Sequence, residues 1–155
     1  LNLFQMSLIE KINIELKQAM LIKDKSRLES LRAIKTSLTL HQISISSNNS
    51  VTKEDEIKIL QKLVKQRRES AKIYIDHNRP DLVQIEEAQA DFISTFLPEQ
   101  LTNQEIEAIV SKVIKESKSI GLKDMGKVIG IVVKKIEGRA DGKTVSNIVK
   151  QKLSD

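Results

Sequence analysis

The sequence predicts an all-α protein in two parts: an N-terminal helical domain of about four helices over residues 6–97, and a small three-helix domain over 98–155. Three observations predict it. Apolar residues recur at intervals of three and four along most of the chain, the spacing of a single helix face. The only prolines are Pro80 and Pro98, and all five glycines follow residue 120, so the long stretches between them contain no breakers. Polar clusters able to cap or turn the chain fall between the periodic runs.

The elements follow in order. Leu8, Ile9, Ile12, Leu16, Ala19 and Met20 form the apolar stripe of a first helix, and Leu28, Leu31, Ile34 and Leu38 that of a second. Ser46, Ser47, Asn48, Asn49 and Ser50 make a polar loop. Thr52 and Asp55, at capping spacing, then open a long third helix with Ile57, Leu60, Val64, Ala71, Tyr74 and Ile75 on one face. The run from Asp76 to Asp81 is turn chemistry that ends it. A fourth helix carries Leu82, Ile85, Ala88, Phe92 and Phe96. Leu97-Pro98 biases the chain out of helix and marks the domain boundary. Thr102-Asn103-Gln104-Glu105 is a capping box opening a fifth helix with Ile106, Ile109, Val110, Val113 and Ile114. Beyond Gly121, Met125, Val128, Ile129, Val132, Val133 and Ile136 define a sixth helix that stops at Gly138, and Val145, Ile148, Val149 and Leu153 a short seventh. Residues 1–5 (LNLFQ) precede Met6 and the helical pattern, and are read as an expression scar or an upstream extension.

Composition narrows the function classes. The chain has 155 residues and no cysteine, which excludes disulfides, thiolate metal sites and cysteine nucleophiles and points to a reducing, cytoplasmic setting. No apolar run reaches the length of a membrane span, so no membrane partner is expected. The net charge of +5 suits a polyanionic partner, while three Phe, one Tyr and no Trp argue against a stacking reader of unpaired bases. The two histidines, His41 at a helix end and His77 in a turn, support neither a triad nor a zinc site. Glu54-Asp55-Glu56 reads as acids complementing a helix dipole, with an acid/base or metal role as the alternative, and Glu86-Glu87 is equally open. No glycine loop of phosphate-cradling spacing occurs. No catalytic residue, metal or cofactor is expected.

Basic charge gathers in two places. Lys58, Lys62, Lys65 and Lys72 share one helix face with Glu69, and Arg68 lies beside them; residues 58–72 hold six bases against one acid. This second basic face is either a solvated surface or a contact for phosphate or an acidic protein. Arg67, at the edge of the apolar stripe, is expected to bury its stem and pair with Glu86 or Glu87. Residues 118–152 are more basic, with nine bases against three acids, a net +6. Gly126 and Gly130 lie one turn apart within this segment, which implies close approach of either a neighbouring helix or an RNA backbone.

Six stretches, LESLRAIK (28–35), LVKQRRES (63–70), DLVQIEEAQA (81–90), FLPEQL (96–101), KDMGKVIG (123–130) and GRADGKTV (138–145), resemble the GatB/YqeY family in order and spacing. The resemblance implies an all-helical protein whose C-terminal part is similar to the tail of the GatB subunit of tRNA-dependent amidotransferase, and hence binding of tRNA or another structured RNA, with no DNA expected. It places RNA contacts at Lys123, Gly126, Lys127, Gly130, Lys134, Lys135, Gly138, Arg139 and Lys143, with Glu137 as a departure from what a phosphate-facing turn would carry. It also associates the chain with carbon-nitrogen ligase activity using glutamine as amido donor, and with amidotransferase subunits or aminoacyl-tRNA machinery as partners. GatB's catalytic cradle has no counterpart here. The expectation is therefore an RNA-binding accessory protein, with a component of a ligase complex or a helical protein-interaction adaptor as the alternatives.

Overall fold

The computed structural model describes residues 6–155, all helix and connecting turn; the reading of residues 1–5 lies outside the described residues. The chain divides into two compact units between Leu97 and Pro98. In the first are α1 (Leu8–Leu21), α2 (Lys25–Ser44), α3 (Lys53–Asp76) and α4 (Pro80–Ser94). In the second are α5 (Asn103–Ser117), a 3₁₀ turn (Leu122–Asp124), α6 (Met125–Ile136) and α7 (Gly142–Ser154).

Local chemistry sets the helix starts. Ser7 with Glu10, Thr52 with Asp55 and Thr102 with Glu105 each form a reciprocal capping box, satisfying backbone donors that the first turn leaves without intrahelical partners. Asp24 caps α2 through Arg27 N–H, and Asp141 caps α7 through the N–H groups of Lys143 and Thr144. The connection between α3 and α4 is short because Asn78 adopts the left-handed region (φ 51°) and Pro80 sits at the start of α4.

The first unit is a long α3–α4 hairpin with α2 against both helices and α1 on α2. Ile12, Leu31, Ile34, Leu60 and Ile93 are fully enclosed at its centre. Glu56, on the first turn of α3, reaches back to accept from Leu8 N–H at 3.3 Å, tying the start of α1 to α3. In the second unit α5, α6 and α7 pack pairwise around Ile106, Val110, Val113, Val128, Val132, Val145 and Val149. Its entry segment is fastened to the α6–α7 turn: Leu101 N–H donates to Arg139 O at 2.7 Å, and the Gln100 amide to Gly138 O at 3.2 Å.

Several apolar positions read as core face outward. Met20, Ile75, Ile85 and Val133 are about half exposed or more, and Ala88 is also exposed. The buried side of α4 is rotated to Gln89, Ala90 and Ile93, because its central contact is polar. Gln89 Oε1 accepts from Arg67 Nε at 3.0 Å, and Gln89 Nε2 donates to Glu29 at 3.0 Å. A buried amide whose donor and acceptor are both used is tolerated at a position where an apolar residue was expected. Arg67 does bury its stem, but its direct partners are Gln89 and the Leu63 carbonyl (3.2 Å), not Glu86 or Glu87. Burial pushes its pKa down from the ordinary value, with the nearby Glu86 charge opposing.

Candidate nucleic-acid interface

The second unit presents α6 as an amphipathic helix. Val128, Val132 and Ile136 point into the core. The opposite side, by the 100° step of a helix, carries Gly126, Gly130, Val133 and Glu137, with Lys127 and Lys134 along one edge and Lys123 in the turn before it. Gly126, Gly130, Lys123, Lys127 and Lys134 are all exposed. A Cβ built on either glycine meets nothing within 4 Å. Close packing of a neighbouring helix within the chain therefore does not account for these two glycines. Lys123 to Lys134 spans roughly 16 Å along the helix axis.

The remaining cations differ in what already holds them. Lys127 Nζ donates to Ser117 O at the end of α5, at 3.4 Å. Lys135 lies 3.9 Å from Glu116, on the side of α6 facing α5. Arg139 Nε donates to Glu99 O at 3.0 Å, which fixes the guanidinium to the entry segment. Glu137 ends α6 in the left-handed conformation (φ 50°), followed by Gly138 at φ 81°; this double left-handed step makes the turn that brings Arg139 to Glu99 and Leu101. Among the described residues Lys123, Lys134, Lys143 and Lys150 are exposed and have no ion-pair partner. Lys143 and Lys150 are seven residues apart and share the outward side of α7.

On α3 the cations divide differently. Arg68 turns sideways to α4, pairing with Glu87 and, at 2.6 Å, with Asp91. Lys58 pairs with Glu54 at 2.9 Å, which holds its ammonium pKa above the ordinary value. Lys62, Lys65 and Lys72 are exposed with no ion-pair partner among the described residues. They alternate with Glu69, and Glu54 and Asp76 stand on the same face at its two ends.

The residues weighed for catalysis are engaged in structural contacts. His41 Nε2 lies 3.4 Å from Asp55 Oδ2, and that carboxylate caps α3. Hydrogen bonds from the Thr52 hydroxyl and backbone, then the neighbouring His41, hold the Asp55 carboxyl below its ordinary range. His77 ends α3 with Nδ1 2.9 Å from Ile73 O. No group of three or more His, Asp or Glu able to hold a metal occurs among the described residues. No helix among the described residues is long and apolar enough to cross a membrane.

Sequence reading missed the apolar part of this surface. Ile120 (74% exposed), Leu122 (52%) and Val133 (48%) are the large apolar residues the second unit leaves in the open. The signal was present: Ile120-Gly121-Leu122 interrupts the helical period between Lys118 and Lys123.

Fold and surface together define an all-helical protein of two units, whose second, smaller unit carries a lysine-edged and glycine-paved helix. The chain belongs to the family described as Yqey-like protein, whose sequence model matches residues 9–153. It is 27% identical over 130 residues to "Altered inheritance of mitochondria protein 41, mitochondrial" of Clavispora lusitaniae, covering 84% of this chain and 74% of that protein. To the protein of the same name in Pyrenophora tritici-repentis it is 29% identical over 146 residues, covering 92% and 79%. A 59-residue stretch is 36% identical to a glutamyl-tRNA(Gln) amidotransferase subunit of Thermococcus gammatolerans, covering 36% of this chain and 9% of that protein. The last similarity supports the relation to the amidotransferase tail that the sequence motifs implied.

Proposed function

We propose that this protein is an RNA-binding accessory factor related to tRNA-dependent amidotransferase, engaging tRNA or another structured RNA by shape and phosphate charge through the outward side of α6. The observation that carries this reading is the α6 surface itself: exposed lysines along an edge, two glycines with open space above them, on a chain similar to part of an amidotransferase subunit. The helix N-termini of α2, α3, α5 and α7 are closed by their own carboxylates. They therefore do not offer the backbone N–H cradle that often receives phosphate, and side-chain ammonium groups are left to meet it. Lys123, Lys127 and Lys134 form the centre of the site, with Lys143 continuing it on α7. Lys135, Gly138 and Arg139 shape the turn and the α5 contact around it.

The chain is proposed to act without a catalytic centre of its own, in the cytoplasm. A second reading, membership of a carbon-nitrogen ligase complex with amidotransferase subunits, is favoured by the same subunit similarity. It predicts co-purification with those subunits.

The test is binding of the full chain to total tRNA across a salt series. Neutralising about four to six phosphates gives a log–log slope of roughly −3 to −5. Lys123→Glu with Lys134→Glu, which leaves the Lys127–Ser117 bond in place, flattens that slope. Absence of tRNA binding at low salt, or an unchanged slope in the variant, refutes the site.

A further inference from the structure

The turn between α5 and α6 displays aliphatic side chains from a backbone that is tightly held. Lys118 ends α5 in the left-handed region, and Gly121 sits at φ 71°, where a side chain would be strained. Ser119 is buried, its hydroxyl 2.6 Å from that of Ser117 and its N–H donating to Ile114 O at 3.2 Å. Ile120 N–H donates to Asp124 Oδ2 at 2.7 Å, and Asp124 N–H returns to Gly121 O at 3.2 Å. The tip is thus built by its own hydrogen bonds, yet Ile120 and Leu122 are left 74% and 52% exposed. Leu122 stands one turn before Gly126, so this apolar tip is continuous with the proposed α6 surface.

We infer that the Ile120–Leu122 tip is an apolar contact to nucleobases of a folded RNA, made where base faces are uncovered at a helix end or loop, while Lys118 and Lys123 on either side hold the backbone. This rests on the RNA-binding reading above and names what part of the RNA the site touches. Charge selects the occupant: both flanks of the tip are cationic, and the one acid among them, Asp124, is turned into the tip's backbone. Composition selects the mode: residues 98–155 contain no Phe, Tyr or Trp, so base contact in this unit must be aliphatic. Phe92 and Phe96 belong to the first unit, where they pack edge to face at 5.6 Å.

The experiment compares the full chain, Ile120→Ser with Leu122→Ser, and Lys123→Glu with Lys134→Glu, each titrated with total tRNA over a salt series. Both Ile120 and Leu122 are exposed, so the serine variant keeps its melting temperature. It is expected to bind about tenfold or more weakly with the salt slope unchanged, whereas the lysine variant flattens the slope. Equal affinity of the serine variant and the parent, with the lysine effect intact, overturns the tip contact while leaving RNA binding standing. The inference is also overturned if the parent binds vesicles of phosphatidylcholine and phosphatidylserine, and the serine variant loses that binding but retains its tRNA affinity. No tRNA binding by the parent at all removes both readings.

Discussion

Replacing Gly126 and Gly130 together by alanine separates the two consequences of an open helix face. Both lie in α6, and a methyl at either position meets nothing within 4 Å. Neither has a positive φ, so alanine introduces no backbone strain and lowers the conformational entropy of the unfolded chain. Glycine in a helix interior costs about 0.5–1 kcal/mol relative to alanine. Gly130 is in the body of α6 and takes the upper value, whereas Gly126 lies in its first turn and takes the lower. The pair should therefore stabilise the second unit by about 1.5 kcal/mol, which for a unit of this size raises its melting temperature by roughly 6–12 °C. Calorimetry of the full chain measures the shift, and hydrogen exchange of the α6 amides assigns it to this unit. If the proposed site is correct, tRNA affinity falls in the same variant, because two methyl groups now stand where the RNA approaches. An unchanged or lowered melting temperature would mean that something occupies that side of α6. Stabilisation with undiminished tRNA affinity would remove α6 from the interface.

Three further outcomes follow from the first unit and the caps. Gln89→Leu leaves the half-buried Arg67 guanidinium and Glu29 without their shared amide and should cost about 2–3 kcal/mol in urea unfolding; the double variant with Arg67→Met should recover much of that loss, and failure to recover would deny the network. Thr102→Ala removes the side-chain cap of α5 and should cost about 1 kcal/mol, read as a lower melting temperature of the second unit. Asp55 and Glu105 are held below their ordinary values of 3.8 and 4.5, chiefly by Thr52 and Thr102 respectively. Their contribution to stability is present above those values and lost as pH falls through the lower folded-state ones. A melting series from neutral to acid pH should therefore drop in that range, and Asp55→Asn should make the drop shallower.

The helix starts were legible because capping is local. Thr52 with Asp55 and Thr102 with Glu105 satisfy donors three residues away, and no distant residue enters the argument. The phase of α4 was not legible for the opposite reason. Ile85 is the residue that hydrophobicity places inside, but Gln89 is buried by partners 22 and 60 residues away in sequence, a pairing that no window of sequence displays. Arg67 shows both limits at once: its position on the edge of the apolar stripe announced burial, while its partner depended on the α4 rotation. Gly126 and Gly130 were recognisable as unusual, yet spacing alone does not distinguish a glycine facing a helix from one facing open space.

Where the arginines go explains why one basic surface is a better candidate than the other. In α3 both guanidinium groups are turned toward α4, Arg67 to Gln89 and Arg68 to Glu87 and Asp91, so the net charge counted over residues 58–72 overstates what that face offers a polyanion. The lysines that remain there share their stripe with Glu54, Glu69 and Asp76, a pattern that suits a solvated helix as well as a contact. On α6 the neutralising residues are fewer and differently aimed: Glu116 meets Lys135 on the α5 side, Asp124 is committed to the Ile120 backbone, and Glu137 stands at the far end. Lys123 and Lys134 thus keep their charge facing outward beside a surface with no side chains to hold a partner off. A contact of that kind depends on close fit as much as on charge, and a surface of this size binds weakly on its own. A second attachment, whether from the first unit or from an associated enzyme, would raise the effective concentration without any change in the α6 site.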